Sequence, residues 1–416
     1  MINKFAILLG GNILNTGVYE KFKKQNLFVI VVDWNEYPSI VGDIHLRIDV
    51  KDFKAILDEL SKMNLNSENF VIAYTSIDLA VISVNYINKY FNKFYTPIEF
   101  IKNVESKEMM KINWEKSNLF NRVSYTLSEI KDIDQILNTF SSDNILLKPS
   151  ISSSSNGLSI VDKNNKKQII DFFNIAKEIS LDNKVMVEEF IEGTEYTVEL
   201  LGDNFGNVSV YGISKKYHTK NAGSNKIAIK LHYNPNDVSE FNLNKIAQFG
   251  IECYKSLGLK SCFGHLEVIQ KNNNEIVPIE IGARSSGFIA STLVDIVSGH
   301  DYIHDYISII NGGQVENNKF YKSNFSSMYY FYDIPANKVA LKTTNLMEYI
   351  DKNIISLYSN RKLLKEKNTF ELINSDNDRV GYEILSGYKS KLTINNVLSA
   401  ENQFLKNFIG ESNEIL

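Results

Sequence analysis

A chain of 416 residues has room for two to three domains, and 44% hydrophobic with 23% charged residues is the balance of an ordinary globular protein, not of a disordered or fibrous one. A net charge of −4 with no basic block gives no reason to expect nucleic acid or an anionic membrane as partner, and no run approaches the roughly 20 apolar residues of a membrane span. Two cysteines, Cys253 and Cys262, form neither a disulfide framework nor a zinc spacing, so reduced thiols in a cytoplasmic protein are expected.

The chain opens like a first strand, with flanks wrong for a cleaved signal. An apolar run over residues 5–9 stops at Gly10-Gly11-Asn12. A helical pattern follows (Val18, Phe22), then a second strand from Leu27 to Val32 that ends at Asp33. Strand, glycine turn, helix and strand predict a βαβ unit with a parallel sheet. Gly10, Gly11 and Gly17 do not complete G-x-G-x-x-G, so NAD is not expected. A helix from Phe53 to Met63 and a strand from Phe70 to Tyr74 continue the alternation, with Thr75-Ser76-Ile77-Asp78 at the strand's carboxyl end. Ligands bind outside the carboxyl ends of parallel strands, so Gly10, Gly11, Asp33, Ser76 and Asp78 would line one crevice. The plainer reading, slightly preferred, is that Asp33 and Asp78 only cap helices.

Thr96-Pro97 marks an exit from this first unit, and Ser106 is a candidate N-cap for a helix bearing Lys107. After a helix near 130–140, the buried strand Ile145-Leu146-Leu147-Lys148-Pro149 leads into Ser150-Ile151-Ser152-Ser153-Ser154-Ser155-Asn156-Gly157. A hydroxyl-rich loop offers many N–H and O–H donors and little bulk, a chemistry suited to covering phosphates, with Lys148 as a fixed cation at its base. The alternative is a serine-rich surface turn with Lys148 reaching outward. No Gly-Lys-Ser/Thr ends the loop, so it is not a Walker A motif.

A helix from Lys166 to Ile179 precedes Val185-Met186-Val187-Glu188-Glu189-Phe190-Ile191-Glu192-Gly193-Thr194-Glu195, read as a strand and a tight turn. A second strand continues through Glu199 and then Val208 to Ser214. Glutamates this dense in an apolar segment suit an adenine at a strand edge, with acids for its amino group and for ribose hydroxyls. They also suit an ordinary surface hairpin. Residues 215–223, basic and irregular, are expected to form a mobile loop.

A helix with 3.6 periodicity from Val238 to Leu257 leads to the segment Phe263–Gly287, read as a hairpin whose loop is Asn272–Glu275. That loop sets Glu267 opposite Glu280, roughly 5 Å apart at Cβ, where two carboxylates repel unless a divalent cation lies between them. A solvated hairpin face is the alternative. Arg284 follows on the same side. Residues 288–310 read as helix, and 378–385 as a strand closing a mixed α/β remainder.

These motifs, in this order, resemble the ATP-grasp superfamily near its carboxylate–amine ligases, over roughly residues 1–313. The resemblance implies an α/β ATP-grasp architecture. Residues 1–105 would form a βαβ pre-ATP-grasp domain, and 106–312 the two-lobed nucleotide- and metal-binding domain, with a lid lobe at about 145–215. Residues 313–416 would be an α+β portion completing the core. It further implies that Lys107 and Lys148 contact ATP phosphates and that Ser152, Ser153 and Gly157 belong to the lid. Glu188, Glu189, Phe190 and Ile191 would form the adenine linker, with the backbone of Phe190 and Ile191 at the purine, and Glu195 would bind ribose. Glu267 and Glu280 would hold Mg²⁺ or Mn²⁺. Arg284, with Lys148, would act at the transferred group. Serines stand where the family's lid favours glycine, and Gly282 stands where many relatives place a metal-binding Asn. The implied activity is ATP-dependent joining of a small acid and an amine through an acyl phosphate, in a cytoplasmic enzyme for which a homodimer is one possible assembly. The alternatives are a carboxylase or phosphotransferase of the same fold, or a non-catalytic nucleotide-binding module.

Overall fold

Strand β1 (Phe5–Leu9) is buried along its whole length because helices cover both faces of its sheet. It lies between β2 (Phe28–Val32) and β4 (Phe70–Thr75), with β3 (Ile44–Leu46) outside β2, giving the parallel order β3-β2-β1-β4. Ala6 and Leu8 pack with Val18 and Phe22 of helix Thr16–Lys24. Phe5, Ile7 and Leu9 face helices Phe53–Lys62 and Val81–Tyr90 on the other side. The computed structural model describes residues 4–120, 124–152, 156–221, 226–286, 290–317, 320–340, 344–366 and 369–411. Among them no helix is long and apolar enough to cross a membrane.

The strand order turns back between β1 and β4, which run parallel, and the carboxyl ends of these two strands are where a crevice is expected. Gly10 has φ 98°, and a Cβ there would collide with Ile77. The Asn15 amide donates to Gly10 O at 2.7 Å and accepts from the Ser76 hydroxyl at 2.7 Å. Asp33 accepts the Gly11 N–H at 2.7 Å and the Asn35 N–H at 2.8 Å, so it is spent on the glycine turn. Neither Asp33 nor Asp78 is a helix cap, against the preferred reading. Asn15 stands at the cap of the first helix, and Ile77 precedes the short 3₁₀ turn Asp78–Ala80.

A second, antiparallel sheet has the order β5-β8-β6-β7, with β5 (Ser124–Leu127), β6 (Asn144–Pro149), β7 (Ser159–Asp162) and β8 (Val185–Glu189). Helix Lys166–Ile179 covers it through Ile169, Phe173 and Ala176. The helix expected near 130–140 is only Ile133–Leu137 after a 3₁₀ turn.

The third sheet is formed by β9 (Thr194–Gly202), β10 (Val208–His218), β11 (Ala228–Tyr233), β12 (Cys262–Gln270), β13 (Ile276–Gly282) and β14 (Phe325–Phe331), with two later strands. After β15 (Lys338–Ala340) come those two, β16 (Ile355–Asn360) and β17 (Tyr382–Tyr388), giving the order β13-β12-β9-β10-β11-β14-β17-β16. A last strand, β18 (Ile409–Glu411), pairs with β15. Side chains alternate across a strand. Tyr196, Val198, Leu200, Leu266 and Val268 therefore turn to one face, against Leu243, Ile246 and Tyr254 of helix Glu240–Ser256. Glu195, Thr197, Glu199, His265 and Glu267 take the other.

Two elements depart from expectation. The helix read over 288–310 is two, Ala290–Ser298 and Tyr302–Ile310, broken at Gly299 (φ 74°) and restarted by Asp301, which caps Ile303 and His304. The strand read from 378 begins at Tyr382, because the Asp378 carboxylate is engaged by the N–H groups of Asn374 and Ser375 in a local turn.

Candidate active site

The β12–β13 hairpin does set Glu267 opposite Glu280. Its loop runs one residue longer than expected, over 271–275, since Gln270 pairs with Ile276 and Val268 with Pro278. A bulge between Glu267 and Val268 then absorbs Ile279 and restores the pairing. It sits beside Pro278, which has no N–H for the ladder.

Lys107, on helix Lys107–Lys116, lies 3.2 Å from Glu280 Oε2 and donates to Ser152 O at 3.0 Å. One ammonium thus touches both Glu280 and the backbone at Ser152. Ser106 stands at that helix's N-cap position, without a hydroxyl cap. Lys148, buried on β6, lies 3.0 Å from Glu188 Oε2, and Lys111 of the same helix as Lys107 meets Glu188 Oε1. Lys148 therefore points inward, not outward, and Glu188 is enclosed by two lysines.

The expected mobile loop over 215–223 is replaced, as far as His218, by strand β10. Alternation sends Lys215 to Asp237 and Lys216 to the acids of the cleft. Lys216 Nζ donates to Glu195 Oε1 at 2.6 Å and Glu267 Oε1 at 2.7 Å, and His218 lies 3.0 Å from Glu195 Oε2. Sequence reasoning missed Lys216 and His218. The signal was the strand parity Ser214, Lys216, His218, hidden in a basic, polar stretch.

Beyond Glu267 on the same face, His265 Nδ1 meets the fully buried Glu199 at 2.9 Å, and Tyr233 OH donates to that oxygen at 3.0 Å. Burial pushes the Glu267 carboxyl upward, but Lys216 and then His265 outweigh it and hold the group well below the usual carboxylate range. The Glu195 carboxyl is likewise lowered, burial being overcome by Lys216 and His218. Burial pulls His265 down, yet Glu199 raises it to about 9. Lys216 is raised, because Glu195 and Glu267 overcome its own desolvation.

Arg284 donates from Nη2 to Asp78 Oδ2 at 2.7 Å and from Nη1 to Ser285 O at 3.1 Å. Asp78 thus reaches from beyond the end of β4 to Arg284, while Asp33, Ser76, Gly10 and Gly11 are held together around the glycine turn. In the segment expected to be the adenine linker, the Glu189 carboxylate accepts from Ser141 and from Ser142 N, and Phe190 N–H donates to Asn144 O at 3.1 Å. Phe190 N–H is thereby engaged within the protein. Ile191 is buried. Gly157 has φ 74° and packs on Pro149. Ser153 lies outside the described residues.

The donor set fits Mg²⁺ better than a metal needing a full protein cage. Among the described residues no group of three or more His, Cys, Asp or Glu is arranged to hold a metal, and two facing carboxylates are what Mg²⁺ takes when phosphates and water complete its shell.

The family model described as the ATP-grasp domain matches residues 141–293. A D-alanine–D-alanine ligase of Buchnera aphidicola subsp. Schizaphis graminum is 27% identical over 298 residues, 68% of this chain and 89% of that protein. Among solved structures, an L-amino acid ligase from Bacillus licheniformis superposes with a TM-score of 0.73 at 15% identity, covering 99% of this chain and 100% of that one. A phosphoribosylglycinamide synthetase from Anaerococcus prevotii gives 0.66 at 17% identity, covering 99% and 100%. Likeness at these identities establishes the fold, and the family model finds an ATP-grasp domain within that fold, over residues 141–293.

Proposed function

We propose that this protein is an ATP-dependent ligase that joins a small carboxylic acid, an amino acid foremost, to an amine through an acyl phosphate, releasing ADP and phosphate. The observation that carries this reading is the convergence of Lys107, Lys216 and Arg284 with Glu195, Glu267 and Glu280 at one cleft. Phosphoryl transfer needs positioning and neutralised charge more than covalent help from the protein. Two relatives support the substrate class, since both are named as amino-acid ligases. The domain division given above belongs to the same proposal.

A carboxylate oxygen attacks the γ-phosphorus and ADP departs. The amine nitrogen, after losing a proton from its ammonium form, attacks the acyl carbon, and the C–O bond to phosphate breaks. Glu267 and Glu280 would hold Mg²⁺, which would neutralise charge on the phosphoryl group when bound. Lys107 and Lys148 would bind phosphate oxygens, Lys107 by leaving Glu280 and the Ser152 carbonyl. Arg284 would orient the acyl phosphate from the first-domain side. Glu195, released by Lys216, would accept from ribose hydroxyls, and the linker 188–191 would meet the adenine.

A panel of acids and amines, with ATP and Mg²⁺, tests the reading. ADP, phosphate and amide should appear in equal amounts, and hydroxylamine should trap the intermediate as a hydroxamate. A phosphorylated product stable to hydroxylamine would show a phosphotransferase, and bicarbonate-dependent turnover a carboxylase. Glu280→Gln should abolish turnover while the melting curve persists; Mg²⁺-dependent activity at the parent rate in that variant removes the metal assignment.

A further inference from the structure

We propose that the first domain takes part in the reaction through Asp78, a positioning residue that fixes Arg284 and for which Gly282 leaves the space. Only the kinetic arm of this inference rests on the ligase reading above.

Asp78 follows β4 and Arg284 follows β13, 206 positions apart in sequence. The two oxygens of Asp78 face different neighbours. Oδ2 accepts the guanidinium hydrogen bond, whereas Oδ1 points at Gly282, where an added Cβ would lie 2.7 Å from it. At that distance something must shift, and the partly exposed Asp78 carboxylate is the group that would give way. Gly282 is not among the residues with positive φ, so its backbone is one that any residue adopts. Space, and not conformation, is what asks for glycine there.

The strand end that supplies Asp78 also supplies Tyr74, whose hydroxyl meets Ser285 Oγ at 2.5 Å. Two first-domain side chains therefore hold residues 284 and 285 in place. The position of the guanidinium is contested: Glu199 and Glu280 are also within electrostatic reach of Arg284. Arg284 Nε is buried with no hydrogen-bond partner among the described residues, so neither of those acids has captured it. Asp78 takes the guanidinium by a hydrogen bond from Nη2, whereas Glu199 and Glu280 act on it through space. With Asp78 gone, the guanidinium would turn toward Glu280 and neutralise a group meant for the metal.

The test is a double-substitution cycle with Asp78→Ala, Gly282→Ala and both together. Each single change should lower kcat by about 10- to 100-fold, the scale of a displaced reacting group, with KM for ATP within about 3-fold. ADP–Mg²⁺ affinity by calorimetry should hold in all three. The double variant should be no slower than the slower single one, because the added methyl has nothing to displace once the carboxylate is absent. Asp78→Asn, which keeps the shape and drops the charge, should retain part of the lost kcat. Multiplying effects in the double variant, or parent kcat in Asp78→Ala, overturns the proposal. If no acid–amine pair supports turnover in the parent protein, the ligase reading fails while this one is still judged by melting. Gly282→Ala should lower Tm in the parent and leave it unchanged in Asp78→Ala, and an equal drop in both backgrounds would refute the steric link.

Discussion

An ammonium on a strand has several acids within reach, and Lys216 divides itself between two, Glu195 and Glu267. Its side chain is 9% exposed, so removing it leaves two carboxylates with little water to screen them. Breaking such a pair costs about 3–5 kcal/mol when one charge is left buried. Lys216→Met should therefore lower stability to urea by that order in chelator, and added Mg²⁺ should restore part of it; an unchanged midpoint would remove Lys216 from the charge balance. The pH dependence of the metal-free protein has two limbs of opposite sign. Glu267 is depressed in the fold, so its contribution stands above about pH 4.3 and is lost as pH falls below that. His265, raised to about 9, contributes in full below about pH 6.5 and loses that contribution as pH rises through 9. Denaturation midpoints across pH should show His265→Gln flattening the alkaline limb and shrinking the acid limb in part, since His265 also lowers Glu267; a slope equal to the parent's between 6.5 and 9 counts against the Glu199–His265 pair. At this scale the acids were legible, because the hairpin that carries Glu267 and Glu280 was plain in the sequence. Lys216 was not, since its partners lie on β9 and β12, at sequence distances of 21 and 51, and a run of two lysines gives no hint of which faces inward.

Elements were read best where burial on both faces made their pattern continuous, as in β1, β2 and β4. They were read less well where local side-chain bonds decide the ends, as at Asp378 and Asp301. The hairpin gives a cautionary case. Its loop was counted one residue short and its bulge unseen, and the two errors cancelled to give Glu267 opposite Glu280. Helix Glu240–Ser256, whose period was plain, ends one residue before Leu257 and then Gly258, which has φ 74°. A Cβ at 258 would also fall 2.4 Å from the Phe100 ring. Gly258→Ala should cost more than about 1 kcal/mol by chemical denaturation, since both backbone and packing oppose it. A loss within a few tenths would mean that the ring yields freely.

At the scale of the molecule, residues after 320 are part of the main sheet: β14, β17 and β16 extend it beyond β11. Helix Ile394–Phe408 is fastened to that sheet by buried Glu401, which takes Lys230 at 2.9 Å and Tyr330 OH at 2.7 Å. Glu401→Ala leaves Lys230 without its charge partner and should cost about 3–5 kcal/mol, with Glu401→Gln costing less. Equal midpoints for Glu401→Ala and the parent would show the helix to be held by apolar packing alone. The sequence order of motifs conveyed the architecture, but not this fastening, because a lone Glu in a C-terminal helix gives no sign of a lysine 171 positions earlier.

Lys107 stands on a helix between two sheets and holds an acid of one and a backbone carbonyl beside the other. A single positive charge serving both cannot let go of one without altering its grip on the other. An anion that draws this ammonium to itself would slacken both tethers in the same event. Arrival of the triphosphate and release of the serine segment would then share one trigger, with no separate messenger between them.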